Sequence, residues 1–294
     1  MTILVHQNTR VLVQGITGRV GSFQTKVMRE YGTKIVAGVT PGKGGTIVDG
    51  IPVYDLVEGA LCEHEVDVAL SFVPARFAKD GAIEAIESGI HVVVLTAAGI
   101  PDQDILTVLH YATIKGIKVL GPDTPGVVSP GKCKAGVHPD RVLKEGHVGV
   151  VSKSGALSYE VCKLLTEHGI GQSTIVGIGG GPLWGLTQRE ILGMFEADPD
   201  TSLVVVLGEV GGTMEHEAAA FIEQHITKPV ISLIVGRAAP TGARMGHAGA
   251  IIEGEGETAQ SKISALRKAG SLIAQNQDEI LSFIKELEVR GQDD

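Results

Sequence analysis

The sequence is short of cysteine and of positive charge, and it contains no long apolar run. Its three cysteines, Cys62, Cys133 and Cys162, are odd in number and lack metal-ligand spacing, which argues against a disulfide framework or a metal centre and fits a reducing compartment. Twenty-five Lys and Arg stand against 34 Asp and Glu, a formal net charge of −9. That balance excludes the clustered cations with which proteins hold nucleic-acid backbones, so any anion must be held locally. No apolar run reaches the ~18 residues of a membrane span, and the opening "MTILVHQNTRVLVQG" has no charged region followed by a long apolar core. The expected location is the cytoplasm, or the mitochondrial matrix if a transit peptide has been removed. There is no internal repeat or low-complexity tract, and the closing "RGQDD" reads as a frayed end.

What the chain has in excess is glycine, 40 of 294 residues, about twice ordinary usage. The glycines sit at the ends of apolar runs, where a turn lets backbone approach a ligand. From Arg10 onward, "RVLVQ", "KIVAGV", "VDVALSFV", "HVVVLT" and "IKVLG" alternate with helical patterns near 19–31, 76–88 and 102–115. Short apolar strands separated by crossover helices predict an open parallel sheet. The pattern lapses over 121–146, "GPDTPGVVSPGKCKAGVHPDRVLKEG", whose Gly and Pro content reads as a connector. It then resumes with "HVGVVS", "STIVGI", "SLVVVLG" and "KPVISLIV" and with helices near 155–168, 187–196, 215–225, 258–269 and 277–289. The prediction is two α/β domains, 1–122 and 147–294, joined by 123–146.

"QGITGRVG" follows the first strand and opens a helix, with Gly15, Gly18 and Gly21 spaced as in a dinucleotide-binding turn. Such a turn brings N–H groups and the positive end of a helix dipole to a pyrophosphate. A site for NAD requires Asp or Glu at the end of the second strand; "GVTPGKGGT" has Lys43 there instead. A nucleotide with an additional phosphate, such as coenzyme A or NADP, fits better, the alternative being a solvated lysine on a glycine hairpin. "GVVSPGKC" nearly matches a phosphate-binding loop, but Cys133 replaces the magnesium-binding hydroxyl and no helix follows at once. Any nucleoside triphosphate is therefore expected elsewhere, on another chain.

In the second half, "HVGVVSKSGALSYEV" carries a strand straight into a helix at Ser154 and Gly155. This start offers unpaired N–H groups to an anion, or is an ordinary serine cap. "LGEVGGT" places Glu209 at the carboxyl end of a strand, the edge where open α/β sheets hold ligands. "RMGHAGAII" sets His247 between two glycines. A carboxylate beside a histidine selects its tautomer and raises its basicity, and the glycine-flanked loop allows movement that a helix forbids. His247 thus reads as a phosphate carrier, with a second source of positive potential expected from a partner.

In "QGITGRVG", "GVTPGKGGT", "GQSTIVGIGG", "GEVGG" and "RMGHAGAII", taken in order, the chain resembles the α subunit of succinate-CoA ligase (succinyl-CoA synthetase). The resemblance implies a Rossmann-like CoA-binding domain followed by a flavodoxin-like domain that carries a phosphohistidine. It implies coenzyme A held by Thr17, Gly18, Arg19, Val20 and Lys43, with Leu95, Thr96 and Ala97 against the cofactor. It assigns His247 as the phosphohistidine, Glu209 as its orienting partner, Ser154 and Gly155 as the phosphate-binding helix start, and Tyr159 to the neighbourhood of the acyl substrate. It further implies a β subunit with an ATP-grasp domain, in an αβ or α2β2 assembly, that binds ATP or GTP with Mg2+. Phosphate would pass from the nucleotide to His247 and then to a carboxylic acid, and CoA would displace it from the acyl phosphate.

Several positions depart from the family pattern: "TAAGIP" at Ala98 for "TEGIP", "GPDTPG" at Asp123 and Thr124 for "GPNCPG", and "GIGGGP" at Gly181 for "GIGGDP", with Trp184 following. "GVHPDR" and "SKSG" likewise replace "GIMPGH" and "SRSG". These leave the acid open among succinate, malate and citrate. They also motivate a second reading, a non-catalytic CoA-sensing paralogue. A third, an NADP-dependent oxidoreductase, rests on the glycine turn and Lys43 alone.

Overall fold

The β-branched runs become the strands of two open sheets whose parallel strands are joined through helices. The structure, a computed structural model, describes residues 2–290; beyond Arg290, the end read as frayed in "RGQDD" lies outside the described residues. Its described residues divide into two compact units, one formed by Leu4–His138 with Leu183–Leu186 and the other by residues 2–3, Pro139–Pro182 and residues 187–290.

The first unit runs β1 (Arg10–Gln14), α1 (Arg19–Glu30), β2 (Lys34–Val39), β3 (Ile47–Val48), β4 (Ile51–Tyr54), α2 (Val57–Leu61), β5 (Val68–Ser71), α3 (Ala75–Glu87), β6 (Val92–Leu95), α4 (Asp102–Lys115) and β7 (Lys118–Leu120). Its sheet has the order β3-β4-β2-β1-β5-β6-β7. Beyond the antiparallel β3, this is the doubly wound dinucleotide-binding order, which reverses direction between β1 and β5. Leu12, Ala37, Val39, Ala69 and Val93 form the core under it.

β3 and β4 were not expected from the sequence. β3 has only two residues, too few for periodicity, but the chain turns between them at Asp49 and Gly50, both with positive φ, 48° and 78°. Aspartate–glycine at a two-residue turn is a hairpin signal the sequence did contain. The stretch read as a connector also holds structure: β8 (Gly126–Ser129) and β9 (Cys133–Gly136) pair antiparallel. Its Pro and Gly residues mark the turns of a short hairpin.

The second unit comprises β10 (Glu145–Ser152), α5 (Gly155–Glu167), β11 (Gln172–Gly177), α6 (Gln188–Ala197), β12 (Leu203–Gly208), α7 (Met214–His225), β13 (Val230–Ile234), α8 (Ala259–Lys268), β14 (Leu272–Ala274) and α9 (Gln277–Arg290). Its strands lie β14-β13-β12-β10-β11, all parallel. Counted along the chain this is the flavodoxin order, with its reversal between β10 and β12. The three-residue β14 is the one strand of this unit the sequence did not reveal. Among the described residues no helix is long and apolar enough to cross a membrane.

Candidate functional site

The strand reversal of the second unit decides which loops meet. β10 and β12 are neighbours, with Ser152 opposite Leu207, so the segments that leave their carboxyl ends, Ser152 to Ser154 and Glu209 to Gly211, lie side by side at one edge of the sheet, where such folds hold ligands. Ser154 caps α5, its Oγ accepting from the Leu157 N–H at 3.4 Å. Ser152 braces the turn: its Oγ accepts from the Ser154 N–H at 3.0 Å and donates to the Ser154 carbonyl at 2.7 Å. No acidic residue occupies the first turn of α5, which leaves its positive end uncompensated. Tyr159 lies one turn further on, half-buried, and burial raises its phenol above the usual range.

His247 comes from the long loop between β13 and α8. Its Nδ1 is 2.7 Å from Glu209 Oε2. An ionised carboxylate only accepts, so Nδ1 carries the proton and Nε2 keeps its lone pair. The histidine side chain is 33% exposed and the glutamate 8%; the carboxylate is sheltered while the imidazole edge stays accessible. Backbone bonds hold the loop around the histidine, among them Gly242 N–H to the Ile252 carbonyl at 2.9 Å, Met245 N–H to the Ala250 carbonyl at 3.0 Å, Ala250 N–H to the His247 carbonyl at 3.2 Å, and Gly249 N–H to the Gly180 carbonyl at 3.1 Å. Two glycines elsewhere exist to admit this loop. A Cβ on Gly180 would stand 2.5 Å from His247 Cγ, and one on Gly211, where φ is +87°, would stand 2.1 Å from the Gly249 carbonyl oxygen.

Beneath the pair lies a buried ionic cluster. Lys262 of α8, fully buried, donates to the carbonyls of Glu209 at 2.7 Å and Gly211 at 2.6 Å and to Glu215 Oε2 at 2.5 Å. Burial pulls the Lys262 ammonium below its ordinary pKa, and Glu215 opposes that shift. Glu215 Oε1 in turn accepts from the Glu209 N–H at 3.2 Å. The Lys153 ammonium, also buried, lies 3.8 Å from Glu209 Oε1 and 3.6 Å from Glu215 Oε1. Two lysines thus balance two carboxylates, as buried charges require. Sequence reasoning missed Lys153, Glu215 and Lys262. The legible sign was Lys262, which shares a helical face with the buried Ala259, Ile263 and Leu266.

In the first unit the glycine turn has the geometry its spacing implies. Gly15 adopts φ +75°, and a Cβ on Gly21 would stand 2.2 Å from the Gly15 carbonyl oxygen, so helix and turn touch backbone to backbone. Gly18, at the head of α1, provides no side-chain cap; Gly18, Arg19 and Val20 are exposed. Thr17 Oγ1 donates to Thr40 Oγ1 at 3.2 Å, linking this turn to the loop that presents the exposed Lys43. A cavity of about 600 Å3 opens beside it at the β1/β5 reversal, bounded by Gly15, Thr40, Val73, Pro74 and Phe77. Leu95 is buried at the end of β6. Thr96 Oγ1 donates to the Ser71 carbonyl at 2.7 Å, and the Ala97 carbonyl accepts from the Asp123 N–H at 3.1 Å. Exposed helix-start amides, a nearby ammonium and an apolar cleft suit a phosphorylated nucleotide.

The atypical positions are ordinary in their local packing. Ala98 is exposed. Asp123 takes a left-handed φ of 56°, and the buried Thr124 accepts from the Gly126 N–H at 2.8 Å. Gly181 presents its carbonyl to Gly249, and Trp184 is half-buried. Among the described residues no group of three or more His, Cys, Asp or Glu could hold a metal ion.

A nucleotide-type turn in one unit and a carboxylate-held histidine at the sheet edge of the other place the chain in the class of CoA-binding ligases. Residues 6–99 match the CoA binding domain family and residues 151–272 the CoA-ligase family. The chain is 53% identical over 289 residues to succinate–CoA ligase (ADP-forming) subunit alpha 1 of Archaeoglobus fulgidus, covering 98% of this chain and 97% of that one. It is 50% identical over 278 residues to the corresponding alpha subunit of Aquifex aeolicus, covering 94% and 91%. The chain belongs to the succinate–CoA ligase alpha-subunit family. Among solved structures, ATP citrate lyase from Methanothrix soehngenii, in complex with citrate and coenzyme A, superposes with a TM-score of 0.88 at 26% identity. That match covers 98% of this chain and 52% of the other, so the chain spans about half the length of this structural relative.

Proposed function

We propose that this chain is the α subunit of an NDP-forming acid–CoA ligase that makes succinyl-CoA from succinate, CoA and ATP or GTP. The observation that carries the reading is the His247 Nδ1–Glu209 bond of 2.7 Å at the β10/β12 reversal. With Nδ1 protonated and held, Nε2 attacks the γ-phosphorus; the bond to the bridging oxygen breaks and the nucleoside diphosphate leaves. Glu209 stabilises the imidazolium character that develops, and Ser154 with Gly155 offers helix-start amides to the phosphoryl oxygens. A substrate carboxylate oxygen next attacks phosphorus, the P–N bond breaks, and the neutral imidazole returns. The CoA thiolate then attacks the acyl phosphate carbonyl and inorganic phosphate departs.

In this reading 1–122 binds CoA through Thr17, Gly18, Arg19, Val20 and Lys43, with Leu95, Thr96 and Ala97 alongside. Residues 123–146 connect, and 147–294 carries the phosphohistidine, with Tyr159 near the acid. The nucleotide and its Mg2+ sit on an ATP-grasp β subunit in an αβ or α2β2 assembly, since this chain has no phosphate-binding loop of its own. The names of the alpha-subunit relatives support that partner and favour succinate over malate or citrate. A reducing cytoplasm is inferred from three free cysteines. Two of them, Cys133 and Cys162, are raised by burial to about 12 and are unreactive.

The test is transfer of radiolabelled γ-phosphate from ATP or GTP to this chain in the co-expressed complex. The wild type takes up acid-labile label that succinate plus CoA removes with formation of succinyl-CoA, and His247→Asn takes up none. Label that survives this substitution would defeat the assignment. CoA binding without label in the wild type would instead favour the sensing paralogue.

A further inference from the structure

Lys153 has a place in the site that its position in the sequence does not suggest. It stands between Ser152 and Ser154, at the junction of β10 and α5, yet its side chain turns inward and is 99% sequestered, with 1% exposure. There its ammonium faces Glu209 Oε1 at 3.8 Å and Glu215 Oε1 at 3.6 Å. A lysine placed to bind phosphate would extend toward solvent and the incoming anion. This one is turned onto the carboxylate that holds His247.

The charges that face Glu209 come from four elements: Lys153 after β10, Glu215 on α7, Lys262 on α8 and His247 on the loop after β13. Lys262 spends its three donors on Glu215 Oε2 and on the carbonyls of Glu209 and Gly211. It therefore anchors the backbone of the turn and one oxygen of Glu215. Lys153 adds a second cation beside the Glu209 side chain itself, 3.8 Å from Oε1. Without it, two sheltered carboxylates would share one ammonium, and a buried charge left without its partner is costly. The Glu209 carboxylate would then be free to turn from the ring, and Nδ1–H would lose the partner that selects its tautomer.

We propose that Lys153 is a positioning residue for the phosphohistidine reaction, one that holds the Glu209 carboxylate against Nδ1 and so keeps the Nε2 lone pair of His247 available to phosphorus. This rests on the phosphohistidine reading above. Its failure is distinguishable from failure of that reading, because the wild-type chain and His247→Asn are measured in the same assay.

In the complex with the β subunit, the rate of labelling from radiolabelled ATP or GTP is measured for wild type, His247→Asn, Lys153→Met and Lys153→Arg, together with the KM for CoA. Lys153→Met is expected to label about 10–100-fold more slowly, the range for loss of a partner that orients an active-site ligand, with KM for CoA within about twofold of wild type. Lys153→Arg should recover most of the rate. Labelling of Lys153→Met at the wild-type rate, a KM for CoA that rises in step with the loss, or an arginine variant as slow as the methionine one overturns the proposal. If the methionine variant does not fold, Lys153→Gln, which keeps a polar head of similar length, carries the same comparison. If wild type itself takes up no label, the phosphohistidine reading has failed instead.

Discussion

The ring of His247 occupies the space that a side chain on Gly180 would need: an added Cβ would stand 2.5 Å from His247 Cγ and 2.9 Å from Nδ1. The glycine after β11 and the histidine after β13 are 67 positions apart, and the absence of one side chain admits the other.

Gly180→Ala should therefore push the imidazole off Glu209. We expect about 1–3 kcal/mol of destabilisation from overpacking and at least about a tenfold loss in the rate of His247 labelling. Urea unfolding and the radiolabel assay check the two effects; a variant that labels at the wild-type rate would mean that the loop yields freely.

Lys262→Met removes the donor shared by the Glu209 and Gly211 carbonyls and Glu215. A buried pair broken on one side costs about 3–5 kcal/mol. The expected result is a lower urea midpoint for the transition of the second unit, with 262 the most damaging single lysine to replace.

Lys43 is exposed, so under the proposed CoA assignment any contribution it makes is electrostatic. Lys43→Ala should weaken CoA binding about two- to fivefold at low ionic strength, with the difference shrinking as salt is raised toward about 1 M. Isothermal titration at two salt concentrations decides this; a difference independent of salt would point to packing instead of charge.

His138 adds a pH dependence outside the site. Burial, reinforced by the nearby Lys134 charge, lowers it from 6.5 to about 3. The folded chain keeps this imidazole neutral where the unfolded chain binds a proton, so stability is lost as pH falls below the unfolded value, through the window from 6.5 down to about 3. Between about pH 7 and about pH 5 the contribution is about 2 kcal/mol. His138→Leu should lose that much less stability over the same interval, measured as the change in urea midpoint.

Much of the fold could be read in advance because each long element carries its own signal. Eight of the helices and the principal strands follow from apolar spacing alone, and "QGITGRVG" announces its turn through glycines that the backbone requires. β3, β4, β8, β9 and β14 have two to four residues each, and such pieces become strands only when a neighbour supplies hydrogen bonds. The aspartate–glycine turn at Asp49 was the exception that local chemistry could have disclosed.

His247 was visible as an unusual histidine from its flanking glycines, and Glu209 as a carboxylate at a strand end. Their side-chain chemistry is local, so the sequence alone determined it. Which groups face Glu209 was decided by the strand order β13-β12-β10, which gathers residues 153, 209, 215, 247 and 262 into one cluster. Charge neutralisation in a buried space depends on distances across the fold, and distances of that kind exist only once the chain has packed.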